Sequence, residues 1–211
     1  MPALRVTLHT DGGSDAALLP ILVWAIRQHD SKCQVQPVWA DLRRVPRPPR
    51  TLSERFKLAN DLYPCDLLFV HRDAENQDKQ LRYQEIQDAI TQSGIAIPHV
   101  CVVPVRMQEA WLLFDENAIR EAAGNPNGSM PLELPPIKTL EQIPDPKDML
   151  FALIRQASGL SARRRQRLPV TSHAYRISSI IEDFAPLRNL SAFLALEADI
   201  DNFLSNFTHN K

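Results

Sequence analysis

Acidic residues recur in this chain just after hydrophobic runs. Asp11 and Asp15 follow Leu4 to Leu8, and Asp41 follows Val35 to Trp39. Asp73 and Glu75 follow Leu67-Leu68-Phe69-Val70, and Glu109 follows Val100-Cys101-Val102-Val103. Carboxylates brought together out of water repel one another, and their pKa values rise. A hard divalent cation removes that cost and prefers oxygen ligands. Mg²⁺ or Mn²⁺ held this way serves phosphoryl chemistry, by binding phosphate oxygens and activating water.

Each acid also has a plainer reading. Asp11 and Asp15 suit a turn, and Ser14 or Asp15 suits a helix N-cap. Asp73 can pair with Arg72 or Arg106, and Glu109 can cap or salt-bridge its own helix. The recurrence on three or four successive runs is what favours a shared site. His71 and His99 flank strands, where a histidine is more often structural than a ligand. Gly12-Gly13 is not a dinucleotide fingerprint, no phosphate-binding P-loop is present, and Ser14 lacks the setting of a nucleophile elbow. No Cys-His pair has metal-ligand spacing.

Two basic stretches stand out, Arg163-Arg164-Arg165-Gln166-Arg167 and the looser set Arg43, Arg44, Arg47 and Arg50. Most such runs are solvated faces. Beside the acids, either would suit a phosphodiester backbone.

The acids need a scaffold that gathers them. Leu4 to Leu8, Val35 to Trp39, Asp66 to His71 and His99 to Pro104 read as strands. Ala16 to Gln28, Leu52 to Leu62, Lys79 to Ser93 and Met107 to Phe114 read as helices, with Gly94 ending the third. Strand and helix alternate, which predicts a layered α/β domain with a mainly parallel sheet over residues 1–123. Such sheets bind ligands outside the carboxyl ends of their strands, where these acids fall. A proline-rich arm or lid is expected over 124–146. A C-terminal helical extension is expected over 147–211, with helices at Pro146 to Ala157, His173 to Phe184 and Leu190 to Phe207.

The bulk properties agree. The chain has 211 residues, is 44% hydrophobic and 23% charged, and carries a net charge of −1. That is a globular composition with no overall attraction for nucleic acid, so phosphate affinity must be local. Cys33, Cys65 and Cys101 are odd in number and lack CxxC spacing, which argues for a reducing compartment and against zinc. The N-terminus leads straight into a strand, and the longest apolar stretch, Ala16 to Ile26, contains Pro20 and is too short to span a bilayer. A cytoplasmic bacterial protein without membrane attachment is expected.

The acidic motifs resemble those of the TOPRIM domain, shared by topoisomerases, primases and nucleases of the overcoming-lysogenisation-defect type. The resembling pattern is an acid after the first strand, then glycine, a small residue, Ser or Thr, and a second acid. Here it is Asp11-Gly12-Gly13-Ser14-Asp15, with aspartate in place of the usual first glutamate. Asp73-Ala74-Glu75 stands where the family has Asp-x-Asp. Glu109-Ala110-Trp111-Leu112-Leu113 is similar to a segment of bacterial TOPRIM-related proteins, some of which resemble phage-defence components. The likeness covers residues 3 to 160.

The resemblance implies an Mg²⁺- or Mn²⁺-dependent nuclease. Asp73 and Glu75 would hold the metal, with Asp11 as a further ligand or general acid/base and Glu109 as a further ligand or orienter. Asp15 and Arg106 are supporting candidates, and Arg106, Arg163 and Arg165 would meet nucleic-acid phosphates. Two alternatives are a non-catalytic member of a defence system, acting through a protein partner, and a small-molecule phosphohydrolase.

Overall fold

The computed structural model of the chain describes residues 3–75 and 77–209. Four strands, β1 (Leu4–His9), β2 (Val35–Trp39), β3 (Leu67–His71) and β4 (His99–Val102), form one sheet in the order β2-β1-β3-β4, with every pairing parallel. The register puts Leu8 beside Trp39 and Phe69, and His71 beside Val102. All four strands therefore end along one edge.

Burial follows strand position. All five residues of β3 are buried, as a strand covered on both faces requires. Edge strand β2 carries Pro37 and exposes Gln36, Pro37 and Val38. Proline is tolerated there because one side of the strand has no ladder to donate to.

Alternate residues feed two cores. Leu68 and Val70 cluster with Phe56 of α2 (Leu52–Leu62) and Ile86 and Ile90 of α3 (Lys79–Ser93) on one face. On the other face Val6, Leu8, Leu67, Phe69 and Val102 belong to a larger cluster, which includes Leu18, Ile21, Leu22 and Ile26 of α1 (Leu18–His29). The same cluster takes in α4 (Glu116–Ala122), α5 (Pro146–Ala157), α7 (Val170–Ile180) and α8 (Ser191–His209), so the helical extension is built into the core of the α/β domain. Between α5 and α7 lies the short, exposed α6 (Ala162–Arg165).

Several local expectations shift. The first helix begins as a 3₁₀ turn, Ser14–Ala17, whose N-cap is Gly13 with no side-chain cap bond; neither Ser14 nor Asp15 caps it. The Met107 to Phe114 helix is a 3₁₀ turn, Gln108–Leu112. Helix α4 was not expected; Asp115 caps it, accepting from the Ala118 N–H at 2.9 Å. The proline-rich 124–146 arm buries Leu132, Leu140 and Ile143 in the main core. Among the described residues, no helix is long and apolar enough to cross a membrane.

Candidate functional site

The carboxyl edge of the sheet opens into a cleft of about 220 Å³, lined by Asp11, Gly12, Ser14, Asp15, His71, Arg72, Asp73, Glu75, Arg82 and Lys147. The β1–α1 turn, the end of β3 with the residues that follow it, α3 and the first turn of α5 supply these side chains. Beyond β3 the backbone stays beside β4, with Arg72, Ala74 and Glu75 N–H groups donating to Val102, Pro104 and Arg106 carbonyls at 3.2, 3.1 and 3.1 Å. This extension sets Asp73 against the Gln108 turn.

Asp15, His71 and Asp73 form its centre. Asp15 turns back over its own loop and accepts from the Gly12 N–H at 2.9 Å and the Ser14 hydroxyl at 3.0 Å. A Cβ on Gly12 would lie 2.9 Å from Asp15 Oδ2, so glycine permits this close approach. Gln108 joins the two acids. Its side-chain amide donates to Asp15 Oδ1 at 2.8 Å and its backbone N–H to Asp73 Oδ1 at 3.0 Å.

His71 lies 2.9 Å through Nδ1 from the Val102 carbonyl. A carbonyl can only accept, so Nδ1 carries the proton. Nε2 then faces Asp73 Oδ1 at 3.4 Å and Asp15 Oδ2 at 4.0 Å. There it either donates as an imidazolium or offers a lone pair to a cation. A backbone carbonyl that holds the far ring nitrogen is the outer support common to metal-ligating histidines.

Electrostatics mark the same spot. Burial pushes the Asp73 carboxyl above its usual pKa; His71 opposes the rise, and Asp15 adds to it. Glu109, 4% exposed, is also pushed up by burial, against the pull of Lys147, whose Nζ lies 3.7 Å from Oε1. Of the two only Asp73 lines the cleft, and a raised carboxyl in a cleft is a mark of functional sites.

The expected ligands divide. Asp11 is at the cleft, but its two oxygens meet Arg55 at 2.6 Å and Arg72 at 3.0 Å. Glu75 is 62% exposed and reaches Arg82 at 3.4 Å. Its φ of 50° puts a non-glycine residue in the left-handed region, a local strain of the kind that gathers at functional turns. Arg106 contributes its carbonyl to Glu75 and is not among the residues lining the cleft. The pair in contact inside the cleft is therefore His71 and Asp73, while Glu75, also in the lining, turns to Arg82. Among the described residues no group of three or more His, Cys, Asp or Glu side chains stands ready to hold an ion directly.

Arg163 and Arg165 lie on α6, and α6 leads into Pro169, Thr171, Ser172 and Tyr175, which form a hollow with Gly13 and Ser14. The basic run thus immediately precedes, in sequence, the segment that meets the loop carrying Asp15, and it does not line the cleft. Gln108 and Lys147 were missed by sequence reasoning. For Gln108 no sequence signal existed, and Lys147 is an ordinary first-turn lysine until the fold sets it over Glu109.

No family model, no curated protein and no solved structure matches the chain.

Proposed function

We propose that this protein is a metal-dependent phosphodiester-handling enzyme, a nuclease, working at the Asp15–His71–Asp73 cleft. One observation carries the reading. Two carboxylates and a carbonyl-oriented imidazole converge at the carboxyl edge of a parallel sheet, with Arg72, Arg82 and Lys147 in the same lining. Acids beside cations favour an enzyme over a purely structural relative, because a phosphodiester needs both a positive seat and a polarising centre. The TOPRIM resemblance of the Asp11 to Asp15 loop points the same way.

The donors suit a hydrated hard cation held by two carboxylates. Asp73 is crowded by Asp15, and a cation would relieve that crowding. Asp15 and Asp73 would hold the ion through its water shell, with His71 Nε2 facing that shell; the Asp11–Asp73–Glu75 set fits less well, because arginines occupy Asp11 and Glu75. A bound Mg²⁺ or Mn²⁺ would polarise the phosphoryl group and lower the pKa of a water. Gln108 fixes both carboxylates. Glu109 positions Lys147 at the rim, where it offers positive charge to phosphate oxygens; Arg72 and Arg82, paired with Asp11, Glu75 and Glu85, would reach phosphate only by exchanging a carboxylate partner. The partners in this reading are a nucleic acid and, in a defence setting, a protein.

The test is a cleavage panel of single- and double-stranded DNA and RNA with Mg²⁺ or Mn²⁺, comparing wild type with Asp15→Asn and Asp73→Asn. Metal-dependent cutting by wild type, lost by at least about a hundred-fold in either variant, is expected of a site that loses a charge-stabilising group. Absence of cleavage and of nucleic-acid binding by a folded, metal-binding wild type would remove the nuclease reading and favour the phosphohydrolase alternative.

A further inference from the structure

A second hollow adjoins the acidic cleft at Asp11 and Gly12. It measures about 140 Å³ and is lined by His9, Trp39, Asp41, Arg43, Pro48, Pro49 and Arg55, with Asp11 and Gly12 shared with the acidic cleft. Its walls are fixed. The Trp39 indole donates to the Thr10 hydroxyl at 3.0 Å, and the Thr10 hydroxyl donates to the Gly12 carbonyl at 2.8 Å. The Arg43 guanidinium stacks 4.7 Å over the Trp39 ring and holds Asp41 at 2.7 and 2.9 Å.

Two features indicate the ligand. Both arginines of the lining are already paired, Arg43 with Asp41 and Arg55 with Asp11. The hollow is therefore nearly neutral, and an anion would have to displace a carboxylate. What it offers instead is flat: an indole, a stacked guanidinium and two prolines. In addition, His9, 1% exposed, belongs to the lining, and its Nδ1 is buried with no partner among the described residues. A buried ring nitrogen without a partner is a cost that a native structure rarely carries without use.

We propose that this hollow binds a nucleobase, the base attached to the phosphate that enters the acidic cleft across Asp11 and Gly12. The proposal rests on the phosphodiester reading for its ligand, because a nucleobase is the planar heterocycle such a substrate carries. Stacking on aromatic faces is tolerant of sequence, so the hollow would hold one nucleotide in place without demanding a particular base.

The test compares a short single-stranded oligonucleotide with the same backbone made abasic, for full-length wild type, Trp39→Leu and Arg43→Ala. Arg43 is half exposed, so its variant retains the fold if Trp39→Leu does not. Wild type should bind the base-bearing strand about ten-fold more tightly than the abasic one, the scale of one lost base–aromatic stack. Either variant should remove that difference and leave abasic binding intact. Equal binding of the two strands by wild type overturns the nucleobase site while leaving the phosphodiester reading standing. If wild type binds neither strand, the phosphodiester reading is left to the double-stranded members of the cleavage panel, and free adenosine, guanosine, cytidine and uridine then decide the hollow. Quenching of tryptophan fluorescence that is lost in Trp39→Leu supports it; no quenching up to nucleoside solubility overturns it.

Discussion

Gln108 donates its side-chain amide to Asp15 at 2.8 Å, across 93 residues of sequence. Its own backbone N–H holds Asp73 at 3.0 Å. One residue, 4% exposed, thus sets the spacing of the two carboxylates at the centre of the cleft.

Gln108→Leu should therefore cost about 1–3 kcal/mol, the penalty for removing one partner of a buried polar pair. Urea unfolding measures it. The variant should also lose part of the thermal stabilisation given by Mn²⁺, since Asp15 would be free to turn away. Unchanged urea and Mn²⁺ responses would show that the loop alone orients Asp15.

Asp73→Asn should behave in the opposite sense without metal. The Asp73 carboxyl is raised from 3.8, chiefly by burial. The folded state thus keeps its proton to higher pH than the unfolded chain, and stability falls as pH rises from 3.8 through the folded value. Asparagine keeps an acceptor for Gln108 and removes that loss. The expected result is an equal or higher Tm at neutral pH without metal, and no gain from Mn²⁺. Lower metal-free stability with a retained Mn²⁺ gain would assign Asp73 a structural role.

His9 gives the reverse pH dependence. Burial, outweighing the pull of Asp11 and helped by Arg55, Arg72 and His71, lowers it from 6.5 to about 4. The folded state refuses a proton that the unfolded chain accepts below 6.5. Stability from this group is complete above 6.5 and is lost as pH falls to about 4, by about 3 kcal/mol in all. His9→Phe, set against the edge of Phe56, should flatten that decline in urea midpoints measured from pH 7 to 4. A decline of unchanged size would place its cause elsewhere.

Arg163→Ala with Arg165→Ala should act on affinity alone. Each backbone contact removed should flatten the plot of log affinity against log salt by about 0.7–0.9. Binding should weaken alike for all sequences, while metal binding, read by thermal shift, stays as in wild type. An unaltered salt slope would show that α6 is only a solvated face.

The sequence by itself determined the scaffold. Val35–Trp39, Leu52–Leu62 and Lys79–Ser93 have the bounds their periodicity predicts, because apolar spacing, the Thr51–Glu54 capping box and the left-handed Gly94 are local signals. The alternation of strand and helix likewise dictated a parallel sheet, and with it the edge where the acids gather. Helix α4 is not legible in the sequence, because its seven residues carry too little periodicity.

Only the tertiary structure decided which acids face one another. Asp11 and Asp15 are four residues apart in one loop, yet arginines from α2 and the end of β3 hold the first, while Gln108 turns the second inward. His71, Asp73 and Glu75 alternate along one stretch and all line the cleft; the continued pairing beside β4 and the positive φ at Glu75 set the first two beside each other and turn the third to Arg82. These choices depend on partners tens of residues away, and hydrophobic period and residue type encode which face a side chain takes, not which distant donor it will find.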